Sequence, residues 1–313
     1  MINKLNKILK NDFNESPYKL EEFVFVESLV NIILSNKVKI KQVYYHSSMD
    51  LLASIAHSIE FIKSIDHRYS DMFREIIFSD SLNFITKHND DKLSCVSLLN
   101  DKKIIDFYVR NTIEDSYTIT HECFHFINLD LIHYSTNWSL ITETISMTAE
   151  GLQKEYFKSR KFKDYRNNDI NTFYAVKYKA VQLDFEIKLM KYYLKHKEVD
   201  DIFINSILDN NKFYMECIMD DINNVIISEQ LQFYKHQGYI IGGLLSSLLV
   251  NKIINNPDDI NMLIELNDNC NNCSFVDTLE YLGLKVIDKD NIILSDDSIK
   301  LLEKEYQKRL SKL

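Results

Sequence analysis

Two histidines separated by three residues form the most informative motif of the sequence, His121-Glu122-Cys123-Phe124-His125. On a helix, residues at positions i and i+4 project from the same face, so both imidazoles can bind one zinc ion. Glu122 lies beside this face, where a general base can take a proton from a water molecule that the metal activates. The motif therefore predicts a hydrolytic metal site with His121 and His125 as ligands and Glu122 as the base.

A catalytic zinc ion usually has three protein ligands, so a third ligand must come from elsewhere in the chain. The metzincin pattern requires Gly at 128 and His at 131, but the sequence has Asn128 and Leu131. Two glutamates further on, Glu143 and Glu150, are seven residues apart and share one helix face. We predict that Glu143 is the third ligand and that Glu150 holds a ligating histidine in its tautomer, with Glu150 as the alternative ligand.

These residues resemble a known family of peptidases. The segment from Thr112 to His125, TIEDSYTITHECFH, looks like the active-site helix of the oligoendopeptidase F and thimet oligopeptidase family. Glu143, followed by Ser three residues on and Glu seven residues on, is similar to the second helix of that family. The segment 233–242, FYKHQGYIIG, resembles the tyrosine-rich segment of the family that ends in Tyr-x-x-Gly.

The resemblance covers about residues 93–313, since the last segment also looks like the C-terminal helices of the family. It implies zinc-dependent hydrolysis of peptide bonds in short, unfolded peptides, with one zinc ion. It also implies an oxyanion donor in the tyrosine-rich segment, and an extra residue near Gly238 leaves Tyr234, His236 and Tyr239 as alternatives.

The sequence also departs from the family pattern in two further ways. The interval from His125 to Glu143 is shorter than is usual in the family. Family members are typically about twice as long, and the missing part is the N-terminal half that covers the substrate channel. The resemblance therefore implies a more open groove in this chain.

Two other functions are consistent with the same residues. Two histidines and a carboxylate also suit non-haem iron, so an iron-dependent enzyme that modifies peptides is one alternative. A peptide-binding protein that keeps an inactive peptidase scaffold is the other. The identity of the bound metal tests the first alternative, and replacement of Glu122 by Gln tests the second, because hydrolysis needs a base and binding does not.

The elements that must position these residues are predicted to be mainly helical. The 313 residues include only 5 Gly and 2 Pro, too few for the many tight turns of an all-β chain. Apolar spacing predicts three helices between residues 18 and 89, and a β-hairpin follows. If the second hairpin strand forms a sheet edge beside the metal helix, its backbone could pair with an extended peptide and align it. The hairpin strands and the later helices are predicted at Leu93–Leu99, Lys103–Val109, Trp138–Lys158, Asn168–Lys197, Asn211–Asn255, Phe275–Leu282 and Asp297–Leu310.

The pattern along the chain predicts its domain organisation, and the composition argues against some classes of partner. We predict an N-terminal helical region, 1–92, and a catalytic region, 93–313, in one compact unit. The net charge of −9 argues against nucleic acid as a partner, and no apolar run of the length of a membrane span is present. Without a secretion signal, the five cysteines favour a cytoplasmic protein. We expect Cys270 and Cys273 to be unligated thiols, and His133 and Tyr134 to lie in a surface loop.

Overall fold

The computed structural model describes residues 1–15, 20–86, 94–99, 102–129, 136–208 and 211–313. Most of these residues are helical, which confirms the mainly α fold class. The helices are α1 (Ile2–Glu15), α2 (Leu20–Leu34), α3 (Leu51–Ile65), α4 (His67–Ile77), α5 (Ile113–Asn128), α6 (Thr136–Ser159), α7 (Asn167–His196), α8 (Asp201–Ile207), α9 (Lys212–Ser228), α10 (Phe233–Asn255), α11 (Ile260–Asn269), α12 (Phe275–Tyr281) and α13 (Asp296–Leu310), with a short 3-10 helix at Pro257–Asp259. The strands are β1 (Leu82–Ile85), β2 (Cys95–Leu99), β3 (Lys102–Tyr108), β4 (Val286–Asp288) and β5 (Ile293–Leu294).

Helices α2, α3 and α4 are the three that the apolar spacing predicts between residues 18 and 89. Two aspartates fix where the second and third of them begin. Asp50 accepts a hydrogen bond from the backbone N–H of Ala53, and Asp66 accepts one from Arg68. Helix α1 was not predicted from the sequence.

The predicted β-hairpin is present as β2 and β3, which pair antiparallel. Leu93, the predicted first residue of the hairpin, lies outside the described residues, as do Asn100 and Asp101, where the sequence predicts the turn. A third strand, β1, was not predicted and pairs in parallel with the other side of β3, which gives the order β1-β3-β2. Strand β3 is therefore paired on both sides, so the condition under which Lys103–Val109 could align a peptide, a position at the sheet edge, is not met. Within the described sheet, β2 is the edge strand of the hairpin.

The hairpin leads into α5, and α5 packs against α3, α4 and α6. Phe124 lies edge-to-face against Tyr69 and Phe73 of α4, with ring centroids 5.9 and 5.3 Å apart. Cys123, the preceding residue, is also buried. These apolar contacts fix the rotation of α5, and the two motif histidines consequently face α6.

Helix α10 lies in the core, with most of its residues buried. It packs mainly against α6, α7 and α13. Within the described residues it is the one helix long and apolar enough, by length and composition, to cross a membrane. Its most apolar stretch is nevertheless 78% buried by the rest of the fold.

The C-terminal part adds two features that the sequence analysis did not predict, helix α11 and the two-stranded ribbon of β4 and β5. Cys270 ends α11, is buried and donates a hydrogen bond to Asn128, whereas Cys273 is exposed. All five cysteines are free thiols. The division of the chain between residues 92 and 93 stays a prediction.

Candidate metal centre

The start of α5 is fixed by polar side chains ahead of the motif. The Thr112 hydroxyl accepts a hydrogen bond from the backbone N–H of Glu114 at 3.2 Å. The Asp115 carboxylate accepts backbone N–H groups of Arg110 and Asn111 at 2.9 and 2.7 Å. The helix therefore begins at a defined residue, two turns before His121.

The three predicted ligands lie together. The Nε2 atoms of His121 and His125 are 2.8 Å apart. The Glu143 carboxylate oxygens lie 3.8 Å from the first of these nitrogens and 3.6 Å from the second. One ligand atom of each residue lies within 4.8 Å of the other two. Two imidazole nitrogens and a carboxylate oxygen are a donor set that suits zinc.

A buried oxygen of Glu143 supports the fit of this donor set to a cation. Among the described residues, Glu143 Oε2 has no hydrogen-bond partner although it is buried. Buried carboxylate oxygens are normally paired with a donor or a cation. The orphaned oxygen faces His121, so a metal ion between the two groups would satisfy it.

Glu150 holds the other ring nitrogen of His121. Its Oε1 lies 2.5 Å from His121 Nδ1. Its Oε2 accepts hydrogen bonds from Asn168 at 2.7 Å and Thr172 at 3.4 Å, both on α7. A carboxylate in this position fixes the histidine tautomer in which Nε2 is free for a metal. Ser146, also on α6, donates to the backbone carbonyl of His121 at 3.3 Å.

The centre carries more negative than positive charge. Burial opposes the charged form of His121, but the carboxylates of Glu150, Glu143 and Glu122 raise the pKa of this imidazole to about 10. Burial and the neighbouring His121 charge lower the pKa of His125. Burial raises the pKa of Glu143. Three carboxylates thus surround two imidazoles, and a divalent cation would balance this charge.

Glu122 lies beside the histidines with its side chain buried; only 8% of the residue is exposed. Burial raises its pKa to about 7, although the charge of His121 and a hydrogen bond from the backbone N–H of Val96 both act to lower it. A carboxylate with a pKa near neutrality is suited to accept and return a proton. Because Val96 belongs to β2, this contact also brings the edge strand of the hairpin to the centre.

The structure separates the three candidate oxyanion donors. Tyr239 lines the cavity at the centre, together with His121 and Glu122. The charge of Glu143, followed by burial, raises the pKa of the Tyr239 phenol, which therefore keeps its proton. Tyr234 is 42% exposed and packs on Phe233. His236 lies in a different buried cluster, with Nε2 at 2.7 Å from Asp221.

Gly242, three residues after Tyr239 on α10, lies where this helix packs against Glu143 of α6. A Cβ atom at Gly242 would lie 2.7 Å from the sulfur of Met147, 3.0 Å from Glu143 Cβ and 3.2 Å from the backbone carbon of Glu143. The absence of a side chain thus allows α10 to approach α6 closely at the metal centre. The Tyr-x-x-Gly spacing was the only sequence signal of this close approach.

The centre opens into a cavity of about 220 Å³. Its walls include polar residues that the sequence analysis missed: Arg110, Glu114, Asn168, Asn171 and Thr172. Their spacing forms no motif, because α7 contributes three of them from a distant part of the chain. His133 and Tyr134 lie outside the described residues.

The comparisons with known proteins support a peptidase fold. No protein-family model and no curated protein matches the sequence. Two solved structures are similar: a "putative peptidase from Chlamydophila abortus", with a TM-score of 0.56 and 17% identity, and a "putative oligoendopeptidase F from Bacillus anthracis", with a TM-score of 0.51 and 13% identity. The alignments cover 99% and 100% of this chain but 55% and 57% of those chains. This chain thus spans just over half the length of either, and the likeness is one of fold.

Proposed function

We propose that this protein is a zinc-dependent peptidase of the oligoendopeptidase F type. One observation carries the proposal, the convergence of His121, His125 and Glu143 within 4.8 Å, with Glu150 behind His121. The fold likeness to two peptidases gives independent support. We propose these three residues as the zinc ligands and Glu150 as the residue that orients His121.

Bound zinc would supply the Lewis acidity that activates a water molecule and polarises the peptide carbonyl. Glu122 accepts the proton of the attacking water and returns it to the nitrogen of the leaving amine, for which its pKa of about 7 is suited. Tyr239 keeps its proton and donates a hydrogen bond to the oxygen that becomes negative during attack. Tyr234 and His236 take no part in this mechanism.

The substrate that we propose is a short peptide in an extended conformation. Val96 of β2 donates its N–H to Glu122, so the hairpin borders the catalytic base. In the described sheet β2 is paired on one side, and its backbone can pair with an extended chain laid beside it. We propose β2, in place of β3, as the strand that aligns the peptide.

The decisive experiment is mass spectrometry of a mixed peptide pool incubated with the zinc-loaded protein. Wild type is compared with Glu122→Gln and with Glu198→Gln, an exposed glutamate remote in sequence from the motif. We expect cleavage by wild type and by Glu198→Gln, and a loss of about 10²–10⁴-fold in rate for Glu122→Gln with its zinc retained.

Equal cleavage by wild type and Glu122→Gln would contradict the proposed base. An intact pool in all three samples would contradict the proposed peptidase activity. Iron rather than zinc in the protein as purified would favour the iron-dependent alternative.

A further inference from the structure

A second cluster of metal-binding side chains lies away from the first. It consists of Glu186 on α7, Asp221 on α9 and His236 on α10. One ligand atom of each residue lies within 4.8 Å of the other two. Glu186 and Asp221 are 0% exposed and His236 is 1% exposed. Three helices therefore bring two carboxylates and one imidazole together in the interior.

The hydrogen bonds of this cluster leave half of its polar atoms unsatisfied. His236 Nε2 and Asp221 Oδ1 are 2.7 Å apart, and Glu186 Oε1 accepts the backbone N–H of Gln232 at 2.7 Å. Three buried atoms of the cluster have no partner within the described part of the chain: Glu186 Oε2, Asp221 Oδ2 and His236 Nδ1. Orphaned polar atoms at this depth are costly unless a ligand satisfies them.

The basic side chain of Lys179 does not neutralise the cluster by direct pairing. Lys179 lies close enough for its charge to act on Asp221 and Glu186, but its ammonium donates to Gln182 Oε1 at 2.8 Å. No Lys or Arg of the described residues forms an ion pair with Glu186 or Asp221. A cation shared by the three side chains would both balance their charge and occupy the unpaired oxygens.

We propose that Glu186, Asp221 and His236 form a second, structural site for a divalent transition-metal ion. One imidazole and two carboxylates suit zinc, manganese or ferrous iron. The ligands are all buried, whereas the first centre lines a cavity, so the second ion would hold helices together without binding substrate. It would fix the first turn of α10, three residues before Tyr239.

This inference does not depend on the proposed peptidase function, and metal stoichiometry tests it separately. The protein is incubated with zinc, freed of unbound metal, and assayed by plasma mass spectrometry. We expect two equivalents per chain in wild type, and one each in His236→Gln and His125→Ala. His196→Gln, a histidine on the exposed C-terminal turn of α7, is the matched control and should keep two.

One equivalent in wild type, lost in His125→Ala and kept in His236→Gln, would overturn the second site and leave the first intact. Such a result would mean that a proton on Glu186 balances the cluster. If His236→Gln does not fold, anomalous scattering at the zinc edge from wild-type crystals decides the question. A peak between the three side chains supports the site, and the absence of a peak there overturns it.

Discussion

Helices α6 and α7 both contribute to two charged clusters that differ in how their charge is satisfied. In the metal centre, Glu150 of α6 is bound by Asn168 of α7. One turn further along α6, Lys154 pairs with Asp169, the next residue of α7, at 2.6 Å. Asp169 also pairs with Arg309 of α13 at 2.6 Å, and all three residues of this ion cluster are buried.

The two clusters differ in whether protein alone satisfies their charge. In the ion cluster each oxygen of Asp169 meets a cationic nitrogen. At the metal centre, three carboxylates face two imidazoles, and no Lys or Arg of the described chain forms an ion pair with Glu122, Glu143 or Glu150. The comparison suggests that the ion cluster serves the fold and that the metal centre is built for a ligand.

The largest expected effect on stability is in the ion cluster. Asp169→Asn leaves Lys154 and Arg309 buried without their shared anion, so we expect the free energy of unfolding to fall by about 3–5 kcal/mol. Urea denaturation measures this change. Asp290→Asn, an exposed aspartate in the turn of the β4–β5 ribbon, is the control and should change stability by less than about 0.5 kcal/mol. Equal stability of the two variants would mean that Asp169 does not offset the buried charges of Lys154 and Arg309.

The second-largest expected effect is a loss of the stability that zinc binding adds at the metal centre. At free zinc 100 times above the dissociation constant, one bound ion adds about 2.7 kcal/mol to the free energy of unfolding. Glu143→Gln should reduce the zinc-dependent gain by about this amount, because it removes a proposed ligand. Without zinc its stability should not fall, since it removes one of three crowded carboxylates. Denaturation with and without zinc tests both statements, and a large loss in zinc-free buffer would contradict the second.

A smaller effect is expected from the residue behind His121. Glu150→Gln removes the carboxylate that holds His121 Nδ1, and we expect zinc affinity to fall by about 10- to 100-fold. Competition with a chromophoric chelator measures the affinity. Glu155→Gln, on the same helix but paired with Lys158, provides the matched control and should bind zinc like wild type. Unchanged affinity in Glu150→Gln would assign Glu150 to packing alone.

The parts of the molecule that could be predicted from the sequence depend on local spacing. Helical periodicity gave α6 and α7 to within two residues of their observed ends, Thr136–Ser159 and Asn167–His196. The i and i+4 spacing placed His121 and His125 on one face, and the seven-residue spacing placed Glu143 and Glu150 on another. Each of these relations lies within a single helix, where backbone geometry fixes it.

The relations that sequence analysis missed join distant segments. Leu82 of β1 pairs with Ile105 of β3, and parallel pairing leaves no turn motif in the sequence. Asp169 and Arg309 are 140 residues apart, and Glu186 and His236 meet only because α7 and α10 pack together. Periodicity shows that such residues lie on buried faces but not which faces meet.

The smallest effect expected is the pH dependence of the ion cluster. Burial alone would raise the pKa of Asp169, but the charges of Arg309 and Lys154 and their hydrogen bonds lower it below its ordinary value of 3.8. A carboxyl group with a lowered folded-state pKa stabilises the fold above its unfolded pKa, and this stability is lost as the pH falls through the folded value. Wild type should therefore lose stability below about pH 4 more steeply than Asp169→Asn, by at most about 1.4 kcal/mol per pH unit. Urea midpoints at pH 5, 4 and 3 measure the two slopes, and Asp290→Asn should keep the wild-type slope. Parallel slopes in Asp169→Asn and wild type would mean that the ion cluster does not lower the pKa of Asp169.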